Sequence, residues 1–89
     1  MIERVIVHKG RYHDSAQLMR LAGKLSELAG VADAEVLMGT EMNRELLGAA
    51  DFDSPLLAEA TPMDLVVAVR AADDDALDAA VAELARLME

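Results

Sequence analysis

The stretch DLVVAVRA, residues 64–71, decides the fold because it is a nearly continuous apolar run of strand length. Successive side chains of a strand point to opposite faces of the sheet, so apolar residues at every position indicate burial on both faces. The run therefore predicts a strand over Leu65–Arg70 in a central position of a sheet. The rest of the chain must then supply neighbouring strands and covering helices.

Two further strands are predicted upstream of this run. Residues 4–9, RVIVHK, contain three consecutive β-branched residues, which lose side-chain freedom in a helix and favour extended backbone. Residues 34–38, AEVLM, form a short apolar run that suits a buried strand. Gly10 and Gly39 follow the two runs and are expected to end the strands.

The first helix is predicted over residues 15–29. Asp14 stands three positions before Gln17, which is the spacing of a capping box. An apolar stripe with helical periodicity follows, and Gly30 suits the end of the helix. The stripe consists of Leu18, Leu21, Ala22, Leu25 and Leu28.

Two more helices are predicted, separated by an irregular segment. Thr40 suits the N-cap of a short helix over 41–49. The last helix is predicted over about 74–88, since the acidic run 73–75 suits the positive end of a helix better than it suits a metal site. Residues 49–62 are expected to form a mobile loop, in which Ser54 and Pro55 can start one helical turn.

This order of elements predicts the α+β class. We expect a small two-layer α/β sandwich of ferredoxin-like plan, βαβ(α)βα, which forms one domain over residues 1–89. A ferredoxin-like sheet has a fourth strand after the last helix, which this sequence does not supply. The sheet is therefore expected to have three main strands and an open edge. An unpaired edge attracts another strand, so a homodimer or a larger protein complex is expected.

Composition excludes several classes of function. The formal net charge is −9, from 17 acidic and 8 basic residues, whereas nucleic acids and anionic membranes require a basic surface. The chain has no cysteine, which excludes disulfides and thiolate metal sites. No apolar run approaches the ~20 residues of a membrane span, and no signal peptide is recognised, so a cytoplasmic location is expected.

The core is expected to be poor in aromatic rings, because Tyr12 and Phe52 are the only aromatic residues. Methionine fills irregular gaps in such cores, so the internal methionines are expected to pack inside, with a partner surface as the alternative. These are Met19, Met38, Met42, Met63 and Met88.

The turn after the first strand is a candidate anion site. Free N–H groups at a helix N-terminus attract anions, and Lys9 and Arg11 add positive charge there. Tyr12 and His13 complete the candidate set. The alternative is a solvated turn in which Tyr12 covers the edge of the core and Asp14 caps the helix.

A second candidate corner follows the second strand. Gly39 and Thr40 lead into a helix that carries Asn43 and Arg44, although a tight turn and a cap explain the same residues. If the first two strands are parallel, both corners open at the same edge of the sheet. Arg11, His13, Thr40, Asn43 and Arg44 then lie around a common anion-binding hollow.

Other site chemistry is not supported by the spacing. His8 and His13 are five residues apart and have no evident third ligand for zinc. His13, Asp14 and Ser15 are adjacent, and neighbouring residues rarely orient one another as a nucleophile relay requires. No catalytic residue is therefore predicted, and catalysis by this chain alone is not expected.

Three segments resemble the N-terminal region of FdrA-type proteins. They are KGRYHDS at 9–15, MGTEMNRELL at 38–47 and ATPMDLVVAV at 60–69, within a resemblance that covers residues 4 to about 72. FdrA-type proteins resemble acyl-CoA synthetases, and members occur with oxamate carbamoyltransferase and ureide catabolism systems. Met63 departs from the polar Asn expected at its position.

The resemblance implies a small module that assembles with acyl-CoA-synthetase-like or carbamoyltransferase subunits and contributes an anion-binding corner. It implies no cofactor for the chain alone, and CoA or an acyl or carbamoyl phosphate only within a larger complex. The alternative is a free-standing regulatory or ligand-binding domain of ferredoxin-like shape that binds a small anionic ligand and oligomerises.

Overall fold

The computed structural model describes residues 1–88 of the 89-residue chain. Strands and helices follow one another in the predicted order, and the helical turn predicted at Ser54 and Pro55 is a short helix before the last strand. The elements are β1 (Ile2–His8), α1 (Ser15–Ser26), β2 (Val31–Met38), α2 (Glu41–Ala49), α3 (Pro55–Glu59), β3 (Leu65–Ala71) and α4 (Asp74–Leu87).

The sheet has the strand order β1-β3-β2, and β3 pairs antiparallel with both neighbours. β1 and β2 are therefore parallel to each other, as expected, and β3 is the central strand that its apolar run predicted. Seven consecutive positions pair between β1 and β3. The β2–β3 pairing has an irregularity between Val31 and Asp33. This is the ferredoxin-like α+β plan with three strands.

One face of the sheet packs against α1 and α4. Leu21 and Leu25 of α1 and Leu77, Ala80 and Leu84 of α4 are buried against this face of the sheet. The helices begin where their caps predicted: the side chains of Asp14, Thr40 and Asp73 accept backbone N–H groups of α1, α2 and α4. The acidic run at 73–75 thus starts a helix, as the sequence indicated.

The opposite face of the sheet is covered by α2, α3 and the segment between them. The expectation of a mobile loop over 49–62 is wrong, because Phe52 and Leu57 lie in a second core with Val66 and Ala68 of β3. Phe52 is 2% exposed, and the guanidinium of Arg70 stacks 4.2 Å from its ring centroid. The predicted helical turn does form, with Ser54 as N-cap and Pro55 as its first residue.

The expectation that the internal methionines pack inside holds only in part. Met38 is buried and Met88 packs against the edge of the first core. Met19, Met42 and Met63 are 75%, 74% and 61% exposed, because they fall on the solvent sides of their elements. No helix among residues 1–88 has both the length and the apolar character that a membrane crossing requires.

Candidate functional site

Both predicted corners lie at the end of the sheet where β1 and β2 finish and β3 starts. We call this end of the sheet the rim. His8 at the end of β1 and Met38 at the end of β2 both pair with Leu65 at the start of β3. The first corner (residues 9–14) and the second corner (residues 39–44) therefore leave the sheet on either side of β3. Since neighbouring strands are about 4.8 Å apart, β1 and β2 are separated by roughly 10 Å.

Asp64 fills the space between the two corners. It is 4% exposed, and its carboxylate accepts three hydrogen bonds: from the backbone N–H of Gly10 and of Thr61, each at 2.9 Å, and from Lys9 Nζ at 3.2 Å. The N–H groups of Gly10 and Thr61, followed by Lys9, lower the pKa of Asp64 to about 2. The carboxylate is thus ionised, and its hydrogen bonds hold the first corner against the 61–64 turn.

The second corner packs closely against the turn that leads into β3. The N–H of Gly39 donates to the backbone carbonyl of Asp64 at 2.9 Å. A Cβ at position 39 would lie 2.6 Å from the carbonyl oxygen of Thr61, so no larger residue fits without movement of the backbone. Glycine at this position therefore serves a close approach between β2 and the 61–64 turn.

In the first corner, the predicted ligand-binding side chains already have partners. Lys9 Nζ also donates to the carbonyl of Glu59 at 3.2 Å, and Arg11 Nη2 donates to the carbonyl of Met88 at 2.8 Å. His13 Nδ1 lies 3.0 Å from Gln17 Oε1. Tyr12 is 65% exposed, so it does not cover the edge of the core as the solvated-turn alternative assumed.

A basic cluster nevertheless forms from His8, Arg11 and His13. Burial lowers the pKa of His8, and the positive charges of Arg11 and His13 lower this pKa further. The Nε2 atoms of His8 and His13 are buried and have no hydrogen-bond partner among residues 1–88. Two imidazoles thus lie near the guanidinium of Arg11 beside the end of β1, in a chain whose net charge is −9.

The basic cluster borders two hollows next to the end of α4. His8 and Arg11 line a hollow of about 370 Å³ together with Ala85 and Met88. His13 lines a smaller one of about 50 Å³ with Gln17, Arg20 and other residues. Both hollows open on the α1–α4 side of β1, away from the second corner.

The second corner uses its polar residues mainly for capping. Thr40 Oγ1 accepts the N–H of Asn43 at 3.1 Å, and Asn43 Nδ2 donates to the carbonyl of Met38 at 2.8 Å. Arg44 is half-buried, and its Nε has no partner among the described residues. Arg44 is thus the member of this corner with unused donor capacity.

The seven predicted ligand-binding residues therefore share the rim but divide into two groups. Lys9, Arg11, Tyr12 and His13 lie on one side of Asp64, and Thr40, Asn43 and Arg44 lie on the other. The intervening strand and the Asp64 carboxylate separate them, which sequence reasoning did not anticipate.

Sequence reasoning missed Asp64 and His8 as members of the site. The signal for Asp64 was an acidic residue directly before a fully apolar strand, where an unpaired charge is costly. The signal for His8 was its place at the end of β1, with Lys9 next to it and Arg11 three residues further on.

Comparison with known proteins corrects the family assignment. A family model described as "AllF, heavy metal-associated domain" matches residues 1–89. The assignment to FdrA-type proteins is therefore wrong, and its acyl-CoA synthetase and carbamoyltransferase associations have no support. The segments that suggested it contain Asp14, Thr40 and Asp64, which cap two helices and bind the rim together.

A curated relative and a search of solved structures complete the comparison. The chain is 31% identical over 87 residues to "Uncharacterized protein YahF" of Escherichia coli (strain K12). The matched region is 94% of this chain but only 17% of YahF, so the chain spans less than a fifth of the length of that relative. No solved structure matches the chain.

The family description implies a heavy metal, but the donor set does not fit one. The chain has no cysteine, and among residues 1–88 no group of three His, Asp or Glu side chains is placed to hold a metal ion. The two imidazoles at the rim lie in the positive field of Arg11, which opposes a further cation.

The family model nevertheless matches the chain over its full length, residues 1–89. The protein therefore belongs to the AllF heavy metal-associated domain family.

Proposed function

We propose that this domain is a non-catalytic assembly module that joins a larger protein through the outer edge of β1. The observation that supports the proposal is the three-stranded sheet, in which, within residues 1–88, β1 pairs with β3 alone. Its outer N–H and C=O groups are a template for another strand. The relative YahF, in which the matched region is 17% of the length, has ample chain outside that region to supply one.

The position of α4 supports the same edge. Arg11 holds the carbonyl of Met88, and Arg4 of β1 lies 3.6 Å from Asp78 of α4. The end of α4 is thus fixed beside the end of β1. A strand that begins beside the end of α4 and pairs antiparallel with the outer edge of β1 would be the fourth strand of a ferredoxin-like sheet. Only a short connection from α4 would be needed to reach that position.

The experiment compares two matched edge variants, Val7→Lys and Leu37→Lys. Both residues are half-buried, both pack against the second core, and both pair with Val66, but they lie on opposite edges of the sheet. Without a larger partner, the free β1 edge is expected to pair with another copy at high concentration. Light scattering over a concentration series measures this, and Val7→Lys is expected to abolish it while Leu37→Lys preserves it.

Two outcomes of this experiment would contradict the proposal. A strict monomer at several hundred micromolar, or equal loss of association in the two variants, refutes the β1 edge as the assembly surface. Amide hydrogen exchange locates the effect, because residues of β1 gain protection on association only if their outer amides become bonded.

A second candidate function, binding of a small anion, is favoured by the basic cluster. His8, Arg11 and His13 lie between the end of β1 and the start of α1, and the one acidic residue at the start of this helix is its N-cap, Asp14. Titration with phosphate and acetate, followed by NMR, tests it. Arg11→Ala is expected to abolish binding, whereas Arg44→Ala on the other side of Asp64 is the control. If neither anion shifts the His8 and His13 resonances, the cluster does not bind anions.

A further inference from the structure

A groove of about 280 Å³ follows the outer side of β2, at the sheet edge opposite to β1. Its lining is mainly apolar, with one carboxylate. The lining includes Leu18, Met19 and Ala22 of α1, Glu35 and Leu37 of β2, and Asn43 of α2. Helices on both sides of the sheet thus border the same free strand edge.

The edge of β2 offers backbone groups as well as apolar surface. Among residues 1–88, β2 pairs with β3 alone, so alternate N–H and C=O groups on its outer edge are free of strand partners, and Glu35–Leu37 of this edge line the groove. An extended segment laid along β2 would gain backbone hydrogen bonds, and its alternate side chains would face α1. Met19 is 75% exposed, and its flexible thioether can adapt to such a side chain.

Charge indicates which segment fits. Of the two acids of β2, Asp33 lies 3.8 Å from Arg70 Nη1, whereas Glu35 has no ion pair among residues 1–88. Burial raises the pKa of Glu35, and the nearby Asp33 raises it further, so a cation beside Glu35 would stabilise its ionised form.

The same charges exclude a second copy of β2 as the occupant. The strand VADAEVLM contains two acids and no base, and pairing of two such strands brings acids near one another. Like charges opposite each other destabilise a strand pair. The occupant must therefore be basic where β2 is acidic.

We propose that the β2 groove binds an extended segment of another protein, with an apolar side chain against Leu18 and Met19 and a lysine or arginine opposite Glu35. This surface is separate from the β1 edge of the assembly module. The domain is then a connector with two strand-binding edges, one for the larger protein and one for a basic, apolar segment.

The test uses two fluorescein-labelled nine-residue peptides, one of alternating valine and lysine and one of alternating valine and glutamate. The lysine peptide is expected to bind, with NMR shift changes in the amides of 34–38. Glu35→Lys should weaken its binding about fivefold or more and favour the glutamate peptide. Glu45→Lys is the matched control, because it reverses an exposed charge outside the groove.

Three results overturn the proposal: no binding of the lysine peptide at millimolar concentration, equal weakening by Glu45→Lys, or shift changes in β1 in place of β2. Val7→Lys separates this proposal from the assembly function. It should abolish association through β1 and leave peptide binding unchanged, so each idea can fail alone.

Discussion

At the scale of the residue, Asp64 determines how the rim is built. A buried carboxylate is costly unless hydrogen bonds stabilise its charge, and here two backbone N–H groups and Lys9 do so. The donors come from two parts of the rim: the first corner contributes Lys9 and Gly10, and the 61–64 turn contributes Thr61. Ionised Asp64 therefore couples the end of β1 to the start of β3.

Acid should weaken the fold through this residue. The pKa of Asp64 is lowered to about 2 in the folded chain from an ordinary 3.8, so its contribution to stability is present above pH 4. We expect that contribution to be lost as the pH falls from about 4 to 2. Thermal unfolding at a series of pH values measures the loss.

Asp64→Asn should remove this pH dependence. It should also lower the melting temperature at neutral pH by about 10 °C, because a neutral amide accepts hydrogen bonds from Lys9, Gly10 and Thr61 less strongly than a carboxylate does. Asp14→Asn is the control, since Asn caps a helix about as well as Asp does. Equal melting temperatures for the two variants at pH 7 would contradict the role assigned to Asp64.

Alanine substitution at Gly23 and at Gly39 should change the free energy of unfolding in opposite directions. At Gly39 the new Cβ meets the backbone oxygen of Thr61 at 2.6 Å, whereas at Gly23 in α1 no atom lies within 4 Å. Gly23→Ala should stabilise the chain by about 0.5–1 kcal/mol through helix propensity. Gly39→Ala should destabilise it, and urea unfolding gives both signs. If Gly39→Ala left the free energy of unfolding unchanged, the end of β2 and the 61–64 turn would be able to move apart without cost.

At the scale of the element, the segment between α2 and α3 differs most from expectation. Polar and turn-forming residues over 49–62 suggested a loop, since local patterns do not show that Phe52 can reach Val66 in the sheet. The three long helices and three strands were predictable because capping residues and apolar periodicity are local signals. A tertiary contact made by one aromatic ring has no such local signal.

Phe52 should therefore contribute strongly to stability. Truncation to alanine in a buried site typically costs about 3–5 kcal/mol, and Phe52 is 2% exposed. We expect Phe52→Ala to approach that range and Phe52→Leu to cost about 1 kcal/mol, as measured by urea unfolding. Limited proteolysis should find 49–62 protected in the parent and cleaved in Phe52→Ala. A loss below 1 kcal/mol for Phe52→Ala would mean that the segment is not anchored by its ring.

At the scale of the whole molecule, the fold was more predictable than the site. The fully apolar run 65–69 placed β3 at the centre, and the parallel course of β1 and β2 placed both corners at one rim, as expected. The common hollow around Arg11 and Arg44 stays a prediction, and the two corners leave the sheet on either side of β3. The acidic residue before an apolar strand was a local signal for Asp64, but its donors at Lys9 and Gly10 are brought to it only by the fold.

Because the chain has no cysteine, we also expect the whole domain not to bind Zn²⁺ or Cu⁺ tightly. Zn²⁺ and Cu⁺ favour several nitrogen or sulfur ligands, and the rim offers two imidazoles beside a guanidinium. Isothermal titration of the chain with either ion should give no saturable micromolar binding. One-to-one binding that is lost in His8→Ala and His13→Ala together would refute this.

The central place of β3 has a consequence for how the chain is made. β1 and β2 contact the sheet only through β3, whose last paired residue is Ala71. During synthesis this sheet cannot form until residues 65–71 have left the ribosome, since its middle strand is the last of the three to be translated. Nascent chains truncated before residue 65 should thus expose two unmatched strands, and they are the species most in need of a chaperone.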